Sequence, residues 1–232
     1  MECLYLPDVD TTTLSTSPEE SERKHIRALR LKQNEEVMIT NGKGICFFAR
    51  INFENLHNPV LIIDKYIENY GEHSADIDIL ICNLSDKNRL EWIVEKSTEL
   101  GVSKILIKNC KYSQNIKVDL TRLTNKAIAA IKQCKRACLP DIQIIDSNEF
   151  LSKDLLNLYK SIILLDENGI NPMQLPITSP ILIIVGPEGG LHPAEIAFLE
   201  GIQSLIKWRL GNRRLRAETA IISALSIAVN KL

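Results

Sequence analysis

Apolar positions along this chain follow two different rhythms. Over the first 70 or so residues they come in short runs broken by polar turns. Residues 36–40 and 45–51 flank Asn41-Gly42, and a further run, 60–64, follows Pro59. Asn-Gly between two such runs is a strong hairpin signal, and short strands with tight turns predict a small β-barrel. From residue 74 short apolar runs alternate with stretches of helical spacing. Strands are predicted at 77–82, 104–107, 141–145, 162–165 and 181–185. Between them, Asp86 is placed to cap a helix that buries Leu90, Ile93, Val94 and Ser97 and ends at Gly101. A long helix is predicted over 120–138, with Leu123, Ala127, Ile128 and Ile131 spaced for burial and Pro140 as its stop. Shorter helices are predicted around 150–159 and 220–229. This alternation predicts an α/β domain with a parallel sheet. The expected division is 1–70 and 74–232, with 69–73 as linker.

Charge narrows what the chain can bind. With 232 residues and a net charge of -1, it has no general basic coat, so any nucleic-acid contact must come from a local patch. Two patches stand out. Arg23, Lys24, Arg27, Arg30 and Lys32 cluster in a segment (1–70) whose own balance is eight basic against eleven acidic residues. Arg27 and Arg30 have helical spacing, which suits an RNA-facing strip and a solvated face equally. Between Lys104 and Arg136 there are nine basic residues, Lys108 and Lys111 among them, and one acid, Asp119. That run adjoins Asn109, Tyr112, Ser113, Gln114 and Asn115, and a phosphate-facing surface is the favoured reading. No apolar run approaches the roughly 18 residues a membrane helix needs, and 1–8 lacks the regions of a signal peptide, so a cytoplasmic protein without a membrane role is expected. Six cysteines occur without a CxxC pair, and His25, His57, His73 and His192 are isolated. Reduced thiols, no metal site, and surface or packing histidines are expected.

The candidate chemistry lies near the C-terminal end. Five apolar residues, 181–185, run into Gly186-Pro187-Glu188-Gly189-Gly190, and Pro193 and Glu195 then suit a helix start. A glycine loop at the end of a central parallel strand is where open α/β sheets bind ligands. It is neither a P-loop nor GxGxxG. A second loop follows, with Lys207, Arg209, Arg213, Arg214 and Arg216 in ten residues and no acid until Glu218. Two such loops in succession are hard to explain by folding alone.

Together, Val185–Gly190 and Leu210-Gly211-Asn212-Arg213-Arg214-Leu215-Arg216-Ala217-Glu218-Thr219-Ala220 resemble the RsmE family, bacterial 16S rRNA uracil-N3 methyltransferases of the SPOUT class. Residues 95–102, the stretch Gln133-Cys134-Lys135-Arg136 with Pro140 beyond, and 25–31 match as well, so the likeness covers essentially the whole chain. The resemblance implies a SPOUT domain with a C-terminal trefoil knot, preceded by a PUA-like β-barrel that binds RNA. It implies S-adenosylmethionine as cofactor, 16S rRNA in the assembled small ribosomal subunit as substrate, and a homodimer. By the same likeness, Leu165, Gly186, Glu188, Gly189, Gly190, Leu210, Gly211 and Leu215 would hold the cofactor. Glu188 would either attract its positive charge or cap the next helix. Arg216 would orient uracil and stabilise its anion. Arg136 is the second candidate for that role, Glu218 would steady Arg216, and Thr219 would cap the last helix. Arg27, Arg30, Lys108, Lys111 and Arg136 are the candidate RNA contacts. The chain departs from the family pattern at Asn212, where Pro is usual, at Ala217, where Thr is usual, and at Gln33-Asn34, which stands for a commoner Gly-Asp. Two rival readings are a SPOUT 2′-O-ribose methyltransferase and a non-catalytic RNA-binding protein of the same fold.

Overall fold

The computed structural model describes residues 1–55, 58–114, 117–145 and 150–232. His57 and Asn115, singled out above, lie outside them. The chain divides into two compact units, 1–72 with 128–139, and 73–127 with 140–232.

The first unit is built on one five-stranded sheet. Its strands are β1 (Glu2–Tyr5), β2 (Ser15–Thr16), β3 (Glu36–Thr40), β4 (Ile45–Asn55) and β5 (Asn58–Glu68), in the order β1-β3-β4-β5-β2. β3 and β4 form the expected hairpin, pairing Thr40 with Cys46 and Glu36 with Arg50. Asn41 closes the turn, its Oδ1 accepting from the amides of Lys43 at 2.8 Å and Ile45 at 3.2 Å. One core cluster contains Leu4, Val37, Ile39, Phe47, Ile51, Leu61 and Ile26 of helix α1 (Glu20–Ala28). A second gathers Cys3, Met38 and Cys46 around Ala137. That second cluster explains why 128–139 belongs here rather than with the rest of the α/β segment. Arg30 is past the end of α1 with a φ of 55°, so the helical spacing of Arg27 and Arg30 does not put them on one helix face.

The second unit carries six parallel strands: β6 (Ile77–Cys82), β7 (Lys104–Lys108), β8 (Asp141–Ile145), β9 (Ser161–Ile170), β10 (Ile181–Val185) and β11 (Leu205–Trp208). Their order is β11-β9-β10-β6-β7-β8. β6 and β10 are buried at every position, as continuous apolar runs in a doubly covered parallel sheet should be. The polar exception in β6, Asp78, accepts a 2.6 Å hydrogen bond from Tyr159. Helix α2 (Lys87–Glu99) starts as expected at Asp86, whose side chain accepts from the Asn88 amide, and Gly101 follows its end with a φ of 91°. Helix α3 (Leu120–Cys134) stops short of its expected end because Lys135 turns into the left-handed region at φ 61°. The helix expected over 150–159 is a single turn, α4 (Lys153–Leu156). Helices α5 (Pro193–Glu200) and α6 (Ala217–Lys231) complete the unit.

The chain leaves β6 toward β7 and β8, returns to β9 on the other side, and inserts β10 between β9 and β6. The sheet therefore reverses direction beside β10, the place where parallel sheets open a crevice at their carboxyl ends. No helix among the described residues is long and apolar enough to cross a membrane. Cys82 and Cys110 form a disulfide with Cα atoms 5.5 Å apart, which corrects the expectation of six reduced thiols; the other four cysteines are free.

Gly169 sets how closely β9 and β11 approach. A Cβ there would lie 2.7 Å from the carbonyl carbons of Lys207 and Trp208, and backbone cannot move aside as a side chain would. Gly169→Ala is therefore expected to lower stability by about 2 kcal/mol, read as a shifted urea midpoint at unchanged slope. An unchanged midpoint would show that the two strands are not in backbone contact.

Candidate active site

A cleft of about 1030 Å³ opens at the carboxyl ends of β9, β10 and β11, against the loop from β6 to α2. Its volume is at the upper end of the roughly 300–1000 Å³ typical of small-molecule sites. Its apolar wall includes Leu164, Leu165, Trp208, Leu210 and Leu215. Seven of the eight expected cofactor residues line it: Leu165, Gly186, Glu188, Gly190, Leu210, Gly211 and Leu215. Gly189 does not, and faces Tyr112 instead, with a Cβ position 3.4 Å from the tyrosine's own.

The glycines make the cleft possible. The 186–190 loop folds back on itself through the Gly190 amide, which donates to Pro187 O at 2.8 Å, and Gly190 has a φ of 78°. A Cβ on Gly190 or Gly211 would meet nothing within 4 Å, so backbone at both positions is bare toward open space. Helix α5 begins beyond, where His192 caps the Ala194 amide and the Glu195 carboxylate returns to the His192 amide at 2.7 Å. This capping box removes helix capping from the roles open to Glu188. Glu195 also accepts from the Lys111 amide at 2.8 Å, and Tyr112 packs edge-on to His192 with centroids 5.4 Å apart.

Electrostatically the site turns on a residue that the sequence reading passed over, Arg89. It points from α2 between two carboxylates, donating to Glu188 at 2.6 Å and to Glu218 at shorter range. Ser85 adds a 2.7 Å hydroxyl bond to Glu188. One guanidinium thus joins the 186–190 loop to the first turn of α6. The signal available in the sequence was an arginine three residues after the Asp86 cap, on the same end of α2. Burial pushes the Glu188 carboxyl up, but the Ser85 hydrogen bonds and the Arg89 charge outweigh it, and the net result is below the ordinary carboxylate range. Glu218 is likewise raised by burial and lowered further by the hydrogen bond from Arg89.

Other expected residues are placed as follows. Arg216 is exposed, lines the cleft and occupies the N-cap position of α6 without a side-chain cap bond. Glu218 hydrogen-bonds Arg89 and not Arg216, whose charge nonetheless helps to lower the Glu218 carboxyl, and Thr219 is inside α6 rather than capping it. Arg136 is not among the cleft residues. It is 3 % exposed in the first unit and pairs with Glu72 at 2.8 Å. Lys108, expected on an RNA-facing surface, is 4 % exposed, with its Nζ 3.5 Å from Ile145 O; a buried ammonium cannot present itself to RNA. Lys111 is exposed, and Arg27 is exposed but paired with Glu20 at 2.8 Å. No group of three or more metal-ligating side chains occurs among the described residues.

Residues 72–229 match the family model of the RNA methyltransferase domain. A protein of Rickettsia conorii named ribosomal RNA small subunit methyltransferase E is 31% identical over 202 residues, which is 85% of this chain and 82% of that one. The chain belongs to that family. The relative of the same name in Bacillus subtilis is 27% identical over 87% of this chain and 84% of its own. The crystal structure of ribosomal RNA small subunit methyltransferase E from Neisseria gonorrhoeae, bound to S-adenosyl methionine, is similar with a TM-score of 0.81 and 25% identity. It covers 97% of this chain and 95% of that one. In this family member Arg89 joins the 186–190 loop to α6, which makes its removal informative.

Arg89→Met leaves the partly buried Glu218 and the exposed Glu188 without their shared cation. A loss of about 2 kcal/mol of stability at neutral pH is expected, measured by urea unfolding. The pH dependence has a definite sign. Carboxyls held below their usual 4.5 stabilise the fold above that value, and the contribution is lost as pH falls through their folded values. Unfolding midpoints taken downward through pH 4.5 should fall more steeply for the wild type than for Arg89→Met. Parallel curves would mean that Arg89 does not hold the two acids.

Proposed function

We propose that this protein uses S-adenosylmethionine to methylate a uridine at N3 in 16S rRNA of the small ribosomal subunit. One observation carries the reading. In a chain of this family, the two glycine-bearing loops meet at one cleft whose edge holds an arginine, Arg216, with no carboxylate in ion-pair contact among the described residues.

The cleft suits the cofactor in its chemistry. Leu165, Leu210 and Leu215 offer an apolar face to a flat heterocycle, while bare backbone at Gly186, Gly190 and Gly211 offers amides and carbonyls to its polar edge. When bound, S-adenosylmethionine supplies an electrophilic methyl group. The chain's own residues supply the rest. The cleft mouth receives the base after it leaves its stack. Uracil N3 is weakly acidic, and its N–H bond must break before a new N–C bond can form. Arg216 opposes the negative charge that then spreads over the base oxygens, with fixed N–H donors that stay charged throughout. Glu188, Asp166 and Glu167 are engaged by Ser85, Arg89, Lys207 or Arg214, Asp86 caps α2, and the proton is assigned to solvent water.

The finer architecture follows the same reading. The five-stranded first unit serves as a PUA-like RNA-binding barrel over about 1–70, and 74–232 is a SPOUT domain. Its C-terminal segment forms a trefoil knot, a reading supported by the convergence of the 186–190 and 209–216 loops on one cleft and by the packing of α6 on β10 and β9. The protein acts as a cytoplasmic homodimer on the assembled small subunit.

Incubation with labelled S-adenosylmethionine and small subunits lacking the modification should put label into 3-methyluridine after digestion. Arg216→Ala should slow this by about 10²- to 10³-fold, the usual cost of losing one electrostatic stabiliser, while keeping cofactor affinity. Label in a 2′-O-methyl nucleoside would move the activity to ribose. Absence of both label and cofactor binding would leave an RNA-binding protein without catalysis.

A further inference from the structure

Five arginines and four acids line the cleft, and two of the arginines that the chemistry above does not use have no acid in ion-pair contact among the described residues. Glu188 is held by Ser85 and Arg89, Asp166 lies 3.7 Å from Lys207 Nζ, and Glu167 lies 3.4 Å from Arg214 Nε. Asp86 accepts from the Asn88 amide as the cap of α2. Arg209, Arg213 and Arg216 line the same cleft, are exposed, and have no carboxylate within ion-pair distance among the described residues. Three like charges on one short loop repel one another. They fit a polyanion. S-adenosylmethionine is not that partner, because it is itself a net cation at neutral pH and brings only one carboxylate.

The other arginines, Arg30 apart, are answered by the chain's own acids, and so are several lysines. Arg122 and Lys126 face Glu91, Lys132 is 2.6 Å from Glu22, Arg136 is 2.8 Å from Glu72, and Arg27 is 2.8 Å from Glu20. Arg209, Arg213 and Arg216 have no such acid among the described residues. Arg209 is anchored at the end of β11 by its amide, which donates to Ile170 O at 2.8 Å, and Arg213 stands four residues further along the loop. We propose that Arg209 and Arg213 bind backbone phosphates of the RNA strand on either side of the target nucleotide, leaving Arg216 for the base. Guanidinium suits this task because its planar donors match two phosphate oxygens at once. The proposal rests on the cleft being the methyl-transfer site.

The test compares wild type with Arg209→Ala/Arg213→Ala in methyl transfer to small subunits over a range of salt. Removing two phosphate contacts to a single strand should flatten the plot of log(kcat/KM) against log salt by about 1.4, and lower kcat/KM at low salt by about ten-fold or more. Cofactor affinity, measured separately by calorimetry, should stay within about two-fold of wild type, since neither side chain is assigned to the cofactor. Each single variant should give about half the change in slope, and Arg209→Lys/Arg213→Lys should restore most of it. An unchanged slope would overturn the proposal, and so would a fall in cofactor affinity, which would assign the arginines to the cofactor instead. If the wild type transferred no methyl group, the function itself would fail. Binding of an rRNA fragment over the same salt range would then read the two arginines independently, with equal slopes for wild type and double variant counting against them.

Discussion

A single guanidinium, held between a carboxylate of the 186–190 loop and one in the first turn of α6, is the contact on which the cleft depends. Loops at the carboxyl ends of strands have few buried apolar contacts and are the least stable parts of a domain. Here two of them must keep backbone bare toward open space at Gly190 and Gly211, so neither can be pinned by side chains of its own. Arg89 solves this from outside the loops. It stands on α2, a helix fixed by buried Leu90, Ile93 and Val94, and uses separate terminal nitrogens for Glu188 and Glu218. A lysine has the charge without the fork, and would hold one of the two acids firmly at the expense of the other. With its side chain only 19% exposed and its Nε buried without a partner, Arg89 is partly desolvated, so both acids are needed to keep it there.

The sheet explains why these pieces meet. β10 enters last but one and is inserted between β9 and β6, so its exit loop is flanked by the exits of its two neighbours. Leu165 comes from one side, Ser85 and Arg89 from the other, and β11 adds Arg209 to Arg216 across β9. The apolar continuity of Ile181–Val185 is a requirement of that position, because a strand covered on both faces has no side for polar residues.

Much of this was legible in the residues, and the parts that were not share a physical reason. β3, β6, β8 and β10 have the boundaries expected from apolar runs, and Asp86 caps α2 as expected. These are local effects, set by neighbours in sequence. β1 and β11 were missed because each is a strand of four residues, too short for a periodic signal. The end of α3 was overrun because a lysine in the left-handed region leaves no mark of the kind glycine does. Seven of the eight expected cofactor residues line the cleft, since the loops that hold them are continuous stretches. Arg89 was passed over because its partners are 99 and 129 residues away.

Charge was the hardest property to read, for the same reason. A run of basic residues in sequence is not a basic surface until its neighbours in space are counted. Arg136 is answered by Glu72 from 64 residues away, and Lys132 by Glu22 from 110 residues away. Such pairing costs side-chain freedom and desolvation, and it leaves little field outside the protein. The loop after β11 contains fewer basic residues than the run from 104 to 136, yet its acids at Asp166, Glu167 and Glu200 account only for Lys207 and Arg214. In a chain of net charge -1, an attraction for RNA has to be local, and it is strongest where the fold leaves cations unanswered. The cleft is one such place, so one loop can draw in the backbone and present the base.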